Sequence, residues 1–169
     1  MRPRAATFFK LDDTVWEDGF ALKFYSYVRL ARALWPLLSE AQGSVVNVIG
    51  GASKTPSSNF MIGGAVNAAI TNFTKALAEL GLRDGVAVKA VHPGMTVTGR
   101  LESLLRQRAE AEGMNRDDYE QRELVRAGLR RYSQPEDIAN LVAFLASPVA
   151  QQIHGTDVFI DGGATKTIL

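Results

Sequence analysis

The sequence predicts an α/β fold of about three parallel strands with flanking helices, and three observations carry that prediction. Val45, Val46, Val48 and Ile49 form a short β-branched run, the pattern of a strand covered on both faces. After Gly50 and Gly51, the residues Ile62, Val66, Ala69, Ile70, Phe73, Leu77 and Leu80 recur at helical spacing on one face. A strand that feeds a helix through a loop of small and polar residues is half of a βαβ unit. Val86, Val88, Ala90 and Val91 then give a second buried run, and Gly155 to Ile160 a third. In such sheets chemistry gathers at the carboxyl ends of the strands, so residues 50–63 are the first place to look for function.

In chain order, residues 1–12 carry no strong signal, although Asp12 or Asp13 suits a helix cap. From Thr14 to about Ser39, the residues Trp16, Phe20, Phe24, Tyr27, Val28, Ala31, Leu34, Trp35 and Leu38 fall three and four apart, predicting a long helix rich in aromatics. Pro36 lies inside that pattern and is expected to kink or end it. The strand at 45–49 and a helix from about Met61 to Leu82 follow, closed by a turn at Gly81, Asp84 and Gly85. Residues 100–131 are a charged insertion with eight arginines against seven acids, so the signs nearly cancel. That balance predicts a solvated helical pair rather than a nucleic-acid surface. Ser133-Gln134-Pro135-Glu136 opens another helix, with a Ser-x-x-Glu capping box and proline in its first turn. Ser147-Pro148 stops it.

Composition narrows the function classes. The 169 residues predict one domain, and 46% hydrophobic content is enough for a packed core. A net charge of +1 gives no whole-chain reason to invoke nucleic acid or an anionic membrane. The absence of cysteine rules out disulfides and thiolate metal sites and fits a cytoplasmic protein. Two histidines, His92 and His154, are too few for a His-rich metal site, and no metal is expected. The start, MRPRAATFFK, has no apolar core of signal-peptide length, and no run approaches the roughly 18 apolar residues of a membrane span.

Several stretches resemble the short-chain dehydrogenase/reductase family. GSVVNVIG, the loop after it and the helix containing FTKALA resemble its catalytic segment. VKAVHPGMTVTGR resembles its V-N-x-x-x-P-G-x-x-x-T segment, with Lys89 where asparagine is usual, and PEDIANLVAFLAS with GTDVFIDGG resembles its C-terminal signature. The resemblance covers nearly all of residues 14–163 and implies the C-terminal half of a doubly wound, Rossmann-type sheet. It also implies an NAD- or NADP-dependent oxidoreductase acting on a carbonyl or alcohol. With the match anchored on Gly43 and on Phe73-Thr74-Lys75, the family's catalytic Asn, Ser, Tyr and Lys fall on Lys23, Gly50, Gly63 and Asn67. Glycine has no side chain with which to move a proton, and that constellation works as a unit.

Ser53 is the best local stand-in for the family serine, although Ser53, Thr55, Ser57 and Ser58 also read simply as turn residues. Lys54 reads as a solvated loop lysine. Pro93, Gly94 and Thr98 match the segment that flanks the nicotinamide and pyrophosphate in the family, though Pro-Gly is a common turn dipeptide anyway. His92 stands at a strand's carboxyl end but reads as a packed histidine, and His154 as a loop residue of no special role.

The three Gly-Gly pairs lack the G-x-x-x-G-x-G spacing that seats a pyrophosphate on a helix start. The expectation is therefore a single partial domain, residues 1–169, without the family's N-terminal dinucleotide-binding half. It would bind NAD(P) weakly by itself, and its catalytic groups are not retained. The helices at 14–39 and 61–82 pair across a two-fold axis in the family, which implies a homo-oligomer here. The strand at 45–49, lacking its family neighbour, is expected to be an open sheet edge.

Overall fold

The computed structural model describes residues 8–167. The reading of the amino-terminal MRPRAAT as no leader lies outside the described residues. Asp12 starts the first helix, its carboxylate accepting from the Val15 amide at 3.0 Å, so the cap falls on the first of the two candidate aspartates. Helix α1 (Asp13–Gly19) runs through a single π-helical turn (Phe20–Phe24) into α2 (Tyr25–Glu40). Pro36 does not end this helix: α2 continues to Glu40. Proline loses its own N–H bond and crowds the carbonyl four residues back, and here that position is one turn from the helix end.

The strands are β1 (Ser44–Val48), β2 (Ala87–Pro93) and β3 (Asp157–Ile160), all parallel, in the order β1-β2-β3. The predicted first strand is thus displaced by one residue, although the Ile49 amide still bonds to the Val91 carbonyl at 2.8 Å. Between β1 and β2 runs α3 (Met61–Asp84), the predicted long helix extended by two residues. It ends where Gly85 takes the left-handed conformation at φ 71°, its N–H returning to the Gly81 carbonyl. α3 and the α1–α2 helix cover one face of the sheet. Val66 and Ile70 pack with Ile49 and Ala90, flanked by Phe20, Phe24, Tyr27 and Ile62. Leu77 and Ala78 pack with Val86 and Val88, flanked by Trp35 and Leu38.

Two polar ties hold the far end of this layer. The Trp35 indole donates to the Asp84 carboxylate at 2.7 Å. His154 is a clip rather than an idle loop residue: its Nε2 lies 2.8 Å from the Ala78 carbonyl, and its Nδ1 accepts from the Val88 amide at 3.2 Å. On the other face lies α6 (Pro135–Ala146). Its cap is one residue later than Ser133-x-x-Glu136 predicts: the Asp137 carboxylate accepts from the Gln134 amide at 2.7 Å. The fully buried Lys89 reaches across β2 and donates to the Leu145 carbonyl, in the last turn of α6, at 2.7 Å.

The charged insertion forms α4 (Gly99–Ala111) and α5 (Arg116–Ala127). The pair is solvated only on its outside. Leu101, Leu105, Ala109, Tyr119 and Leu124 close a separate small core with Tyr132, Met114 and Leu129. Arg116 ties the two helices together, donating to Glu102 at 2.6 Å and to Glu120.

Candidate functional site

The polar groups singled out from the sequence converge at the carboxyl ends of β1 and β2, around the Gly50 carbonyl. Gly50 has φ +129°, a conformation that disfavours side chains, and a Cβ there would stand 3.1 Å from Asn67 Nδ2. Asn67, buried on α3, donates from Nδ2 to the Gly50 carbonyl at 3.4 Å and accepts at Oδ1 from Lys23 Nζ at 2.7 Å. Lys23 sits in the π-helical turn and donates as well to the Ile49 carbonyl at 3.0 Å. Single π-helical turns often occur at functional sites because they re-aim side chains. The structure therefore brings Lys23, Gly50 and Asn67 into one hydrogen-bonded cluster.

Gly63 belongs to the same end of α3, one turn before Asn67. A Cβ built on it would lie 2.0 Å from Phe60 Cζ. The half-exposed phenyl ring of Phe60 therefore fills the space that a side chain at 63 would enter. Periodicity could not reveal this, because Phe60 precedes the helix in a short 3₁₀ turn (Ser58–Phe60).

On the other side of the Gly50 carbonyl stands His92, which has no exposed surface. Its Nδ1 lies 3.2 Å from Ser53 Oγ and 3.2 Å from the Gly50 carbonyl. Its ring stacks on Phe159 at 4.6 Å between centroids and 12° between planes. Nε2 is 3.3 Å from Asp157 Oδ1, but the carboxylate lies off the N–H direction, so the contact is electrostatic rather than an aligned hydrogen bond. Lys54 is not simply solvated: its ammonium is 3.1 Å from Asp157 Oδ2. Ser53, Lys54 and Asp157 border a cleft of about 580 Å³ between α3 and β3, with Thr71, Asn72 and Lys75 along its α3 wall. Of this cluster the sequence marked Ser53 and His92. It gave no signal for Asp157, which reaches the site only through the register of β2 with β3.

Pro93, Gly94 and Thr98 leave the carboxyl end of β2. The Gly94 amide bonds to the Ile160 carbonyl at 3.1 Å, and a Cβ on Gly94 would be 2.9 Å from Asp161 Cα. The glycine thus lets the two chain segments close on each other. The Thr98 hydroxyl caps α4, accepting from the Leu101 amide at 3.4 Å. Burial pushes the Asp161 carboxyl up, but hydrogen bonds from the Thr165 side chain and from the amides of Gly163, Thr165 and Ala164 leave it below its ordinary value. Among the described residues no cluster of three His, Asp or Glu could hold a metal ion.

Residues 1–165 match the family model described as enoyl-(acyl carrier protein) reductase. The chain belongs to the short-chain dehydrogenase/reductase family. It is 29% identical over 168 residues to the uncharacterized oxidoreductase YvaG of Bacillus subtilis, covering 96% of this chain and 64% of that protein. It is 28% identical over 158 residues to the 3-oxoacyl-[acyl-carrier-protein] reductase FabG of Vibrio cholerae, covering 91% and 59%. Among solved structures, L-sorbose reductase from Gluconobacter frateurii, complexed with NADPH and L-sorbose, superposes with a TM-score of 0.91 at 26% identity. That likeness covers 99% of this chain and 64% of the reductase. The chain thus spans somewhat under two thirds of the length of these relatives.

Short-chain dehydrogenases/reductases are NAD(P)-dependent oxidoreductases, and the three-strand parallel sheet with its helices is a Rossmann-like part of that fold. The described residues fit the dinucleotide only in part. Pro93 and Gly94 form a wall at the strand ends, and Lys23 with Asn67 supplies polar groups beside it. The Thr98 hydroxyl is already committed to its helix cap. Gly63 offers no side chain to this site, and the Phe60 ring occupies the space beside it.

Proposed function

We propose that residues 1–169 form a member of the short-chain dehydrogenase/reductase family that does not by itself transfer hydride between NAD(P) and a carbonyl or alcohol. The observation that carries this reading is the pair Gly63 and Phe60. Where the family uses a phenol to give and take the substrate proton, this chain has an apolar ring. General acid–base catalysis contributes typically about 100- to 10,000-fold, so its loss alone would leave a trace of activity. Cofactor seating decides the larger effect. The sequence has no G-x-x-x-G-x-G segment, and Asn67 is engaged by Lys23. Tight NAD or NADP binding is therefore not expected of these residues alone; Pro93 and Gly94 serve first to close the end of β2 on β3, and Thr98 as a helix cap. Calorimetric titration with NADH and NADPH tests this: the expected result is no saturable heat at submillimolar concentration, and a submillimolar dissociation constant would overturn it.

A dimerising, non-catalytic role is the second reading, and the surface of α2 favours it. Leu30, Leu34 and Leu37 fall on one helical face and are exposed, and Leu22 and Tyr25 are exposed as well. A helix that is apolar beyond its core-facing stripe has a second partner. The proposal is self-association through 14–39 and 61–82, in the cytoplasm, with no nucleic acid and no membrane. No described helix is long and apolar enough to cross a membrane.

A further inference from the structure

Ser53, His92 and Asp157 stand in the order nucleophile, base and orienting carboxylate. We propose that they form an acyl-transfer site in the cleft between α3 and β3, acting on small esters, separately from any dinucleotide chemistry. A nucleophile within hydrogen-bond reach of a base, with the base held by a third group, is the arrangement that activates a hydroxyl.

The Ser53 hydroxyl has two acceptors in reach: it donates to the Gly50 carbonyl at 3.2 Å and lies 3.2 Å from His92 Nδ1. The Gly50 carbonyl also receives the Ser53 amide at 3.3 Å and Asn67 Nδ2 at 3.4 Å, so the hydroxyl can turn from it to His92 without leaving it unpaired. The Asp157 carboxylate, 3.3 Å from His92 Nε2, favours the tautomer with its proton on Nε2, in which Nδ1 is the acceptor. The stack on Phe159 and complete burial hold the ring in that orientation. Such contacts are often loose without substrate and tighten when it binds.

Ser53 and Asp157 border the same cleft as Lys54 and Lys75. The Lys54 ammonium, next in sequence to the nucleophile, is the cation placed to stabilise a developing oxyanion. In the forward step Ser53 Oγ bonds to the ester carbonyl carbon while its proton passes to His92 Nδ1. The bond from that carbon to the alcohol oxygen breaks, and His92 returns the proton to the departing alkoxide. Water then attacks the acyl-serine, giving its proton to His92, and the carboxylic acid leaves as Ser53 Oγ is reprotonated.

The test uses p-nitrophenyl acetate for turnover and a fluorophosphonate for labelling, on the full 169-residue chain without added nucleotide. The expected result is p-nitrophenol release above the buffer rate and one fluorophosphonate adduct per chain, mapped by peptide mass spectrometry to Ser53. Ser53→Ala removes the adduct, and His92→Gln lowers the release rate by about 100-fold or more. Because His92 is buried, Asp157→Asn on the accessible cleft wall serves as a second variant, with a rate loss at unchanged unfolding midpoint expected. No adduct, an adduct elsewhere, or a release rate unaffected by Ser53→Ala overturns the proposal. None of these outcomes depends on NAD(P), so they leave the question of hydride transfer separate.

Discussion

At position 63 a new Cβ would meet only the far end of a half-exposed phenyl ring, whereas at position 81 it would meet the Val86 carbonyl at 2.2 Å. Gly63→Ala should therefore swing Phe60 outward and cost under about 1 kcal/mol, while Gly81→Ala should cost roughly 1–3 kcal/mol, because backbone cannot move aside cheaply. Chemical denaturation of the two variants checks the order. Position 50 resists for a different reason: at φ +129°, Gly50→Ser places a side chain in a strained conformation costing of order 1–3 kcal/mol. Restoring the family's side chains one at a time is thus expected to lower stability without restoring activity. Lys89 gives a signed pH dependence. Burial lowers its pKa, so in the folded state the ammonium is disfavoured, although the carbonyl end of α6 offsets part of that. With the folded value depressed, the unfolded chain binds more protons through the window from that value up to the ordinary 10.5, and stability rises with pH there. Urea midpoints between pH 7 and 10 should rise in the wild type relative to Lys89→Met; the opposite slope would contradict the assignment.

At the scale of elements, periodicity located all three strands and the two long helices, since each buries a continuous apolar stripe. What it missed depended on single partners far along the chain. Pro36 stays inside α2, the α6 cap moves from Ser133 to Gln134, and the 100–131 pair has a core of its own. That core sits on Leu105 and Tyr119, whose spacing was masked by surrounding charge. Leu105→Ala should therefore cost about 2–5 kcal/mol and loosen α4 against α5, whereas Arg126→Ala, at a well-exposed ion pair, should change stability by about 0.5 kcal/mol or less. Hydrogen exchange of the α4 and α5 amides separates the two outcomes. The site was legible in part for the same reason. Lys23, Gly50, Gly63 and Asn67 follow from motif spacing, but the Phe60 ring and the Asp157 contact arise from tertiary placement that no local pattern encodes.

Across the whole molecule, β1 is an edge strand among the described residues. Because Ile49 bonds to β2, the alternation of a parallel strand turns Val46 and Val48 toward the open side. The Tyr27 hydroxyl donates to the Val48 carbonyl and so covers one group of that edge. Tyr27→Phe is expected to increase aggregation of the chain, read by light scattering, because it uncovers an edge carbonyl. Self-association through α2 and α3 should appear in the same measurement as a species of twice the chain mass at micromolar concentration; a clean monomer would count against it. Hydride transfer is tested most directly by the absorbance of NADH and NADPH mixed with the 169-residue chain across a panel of aldehydes and ketones. No consumption of reduced nicotinamide above the protein-free baseline is expected. Consumption that disappears when Lys23 or Asn67 is replaced would show that this site transfers hydride, and would contradict that expectation.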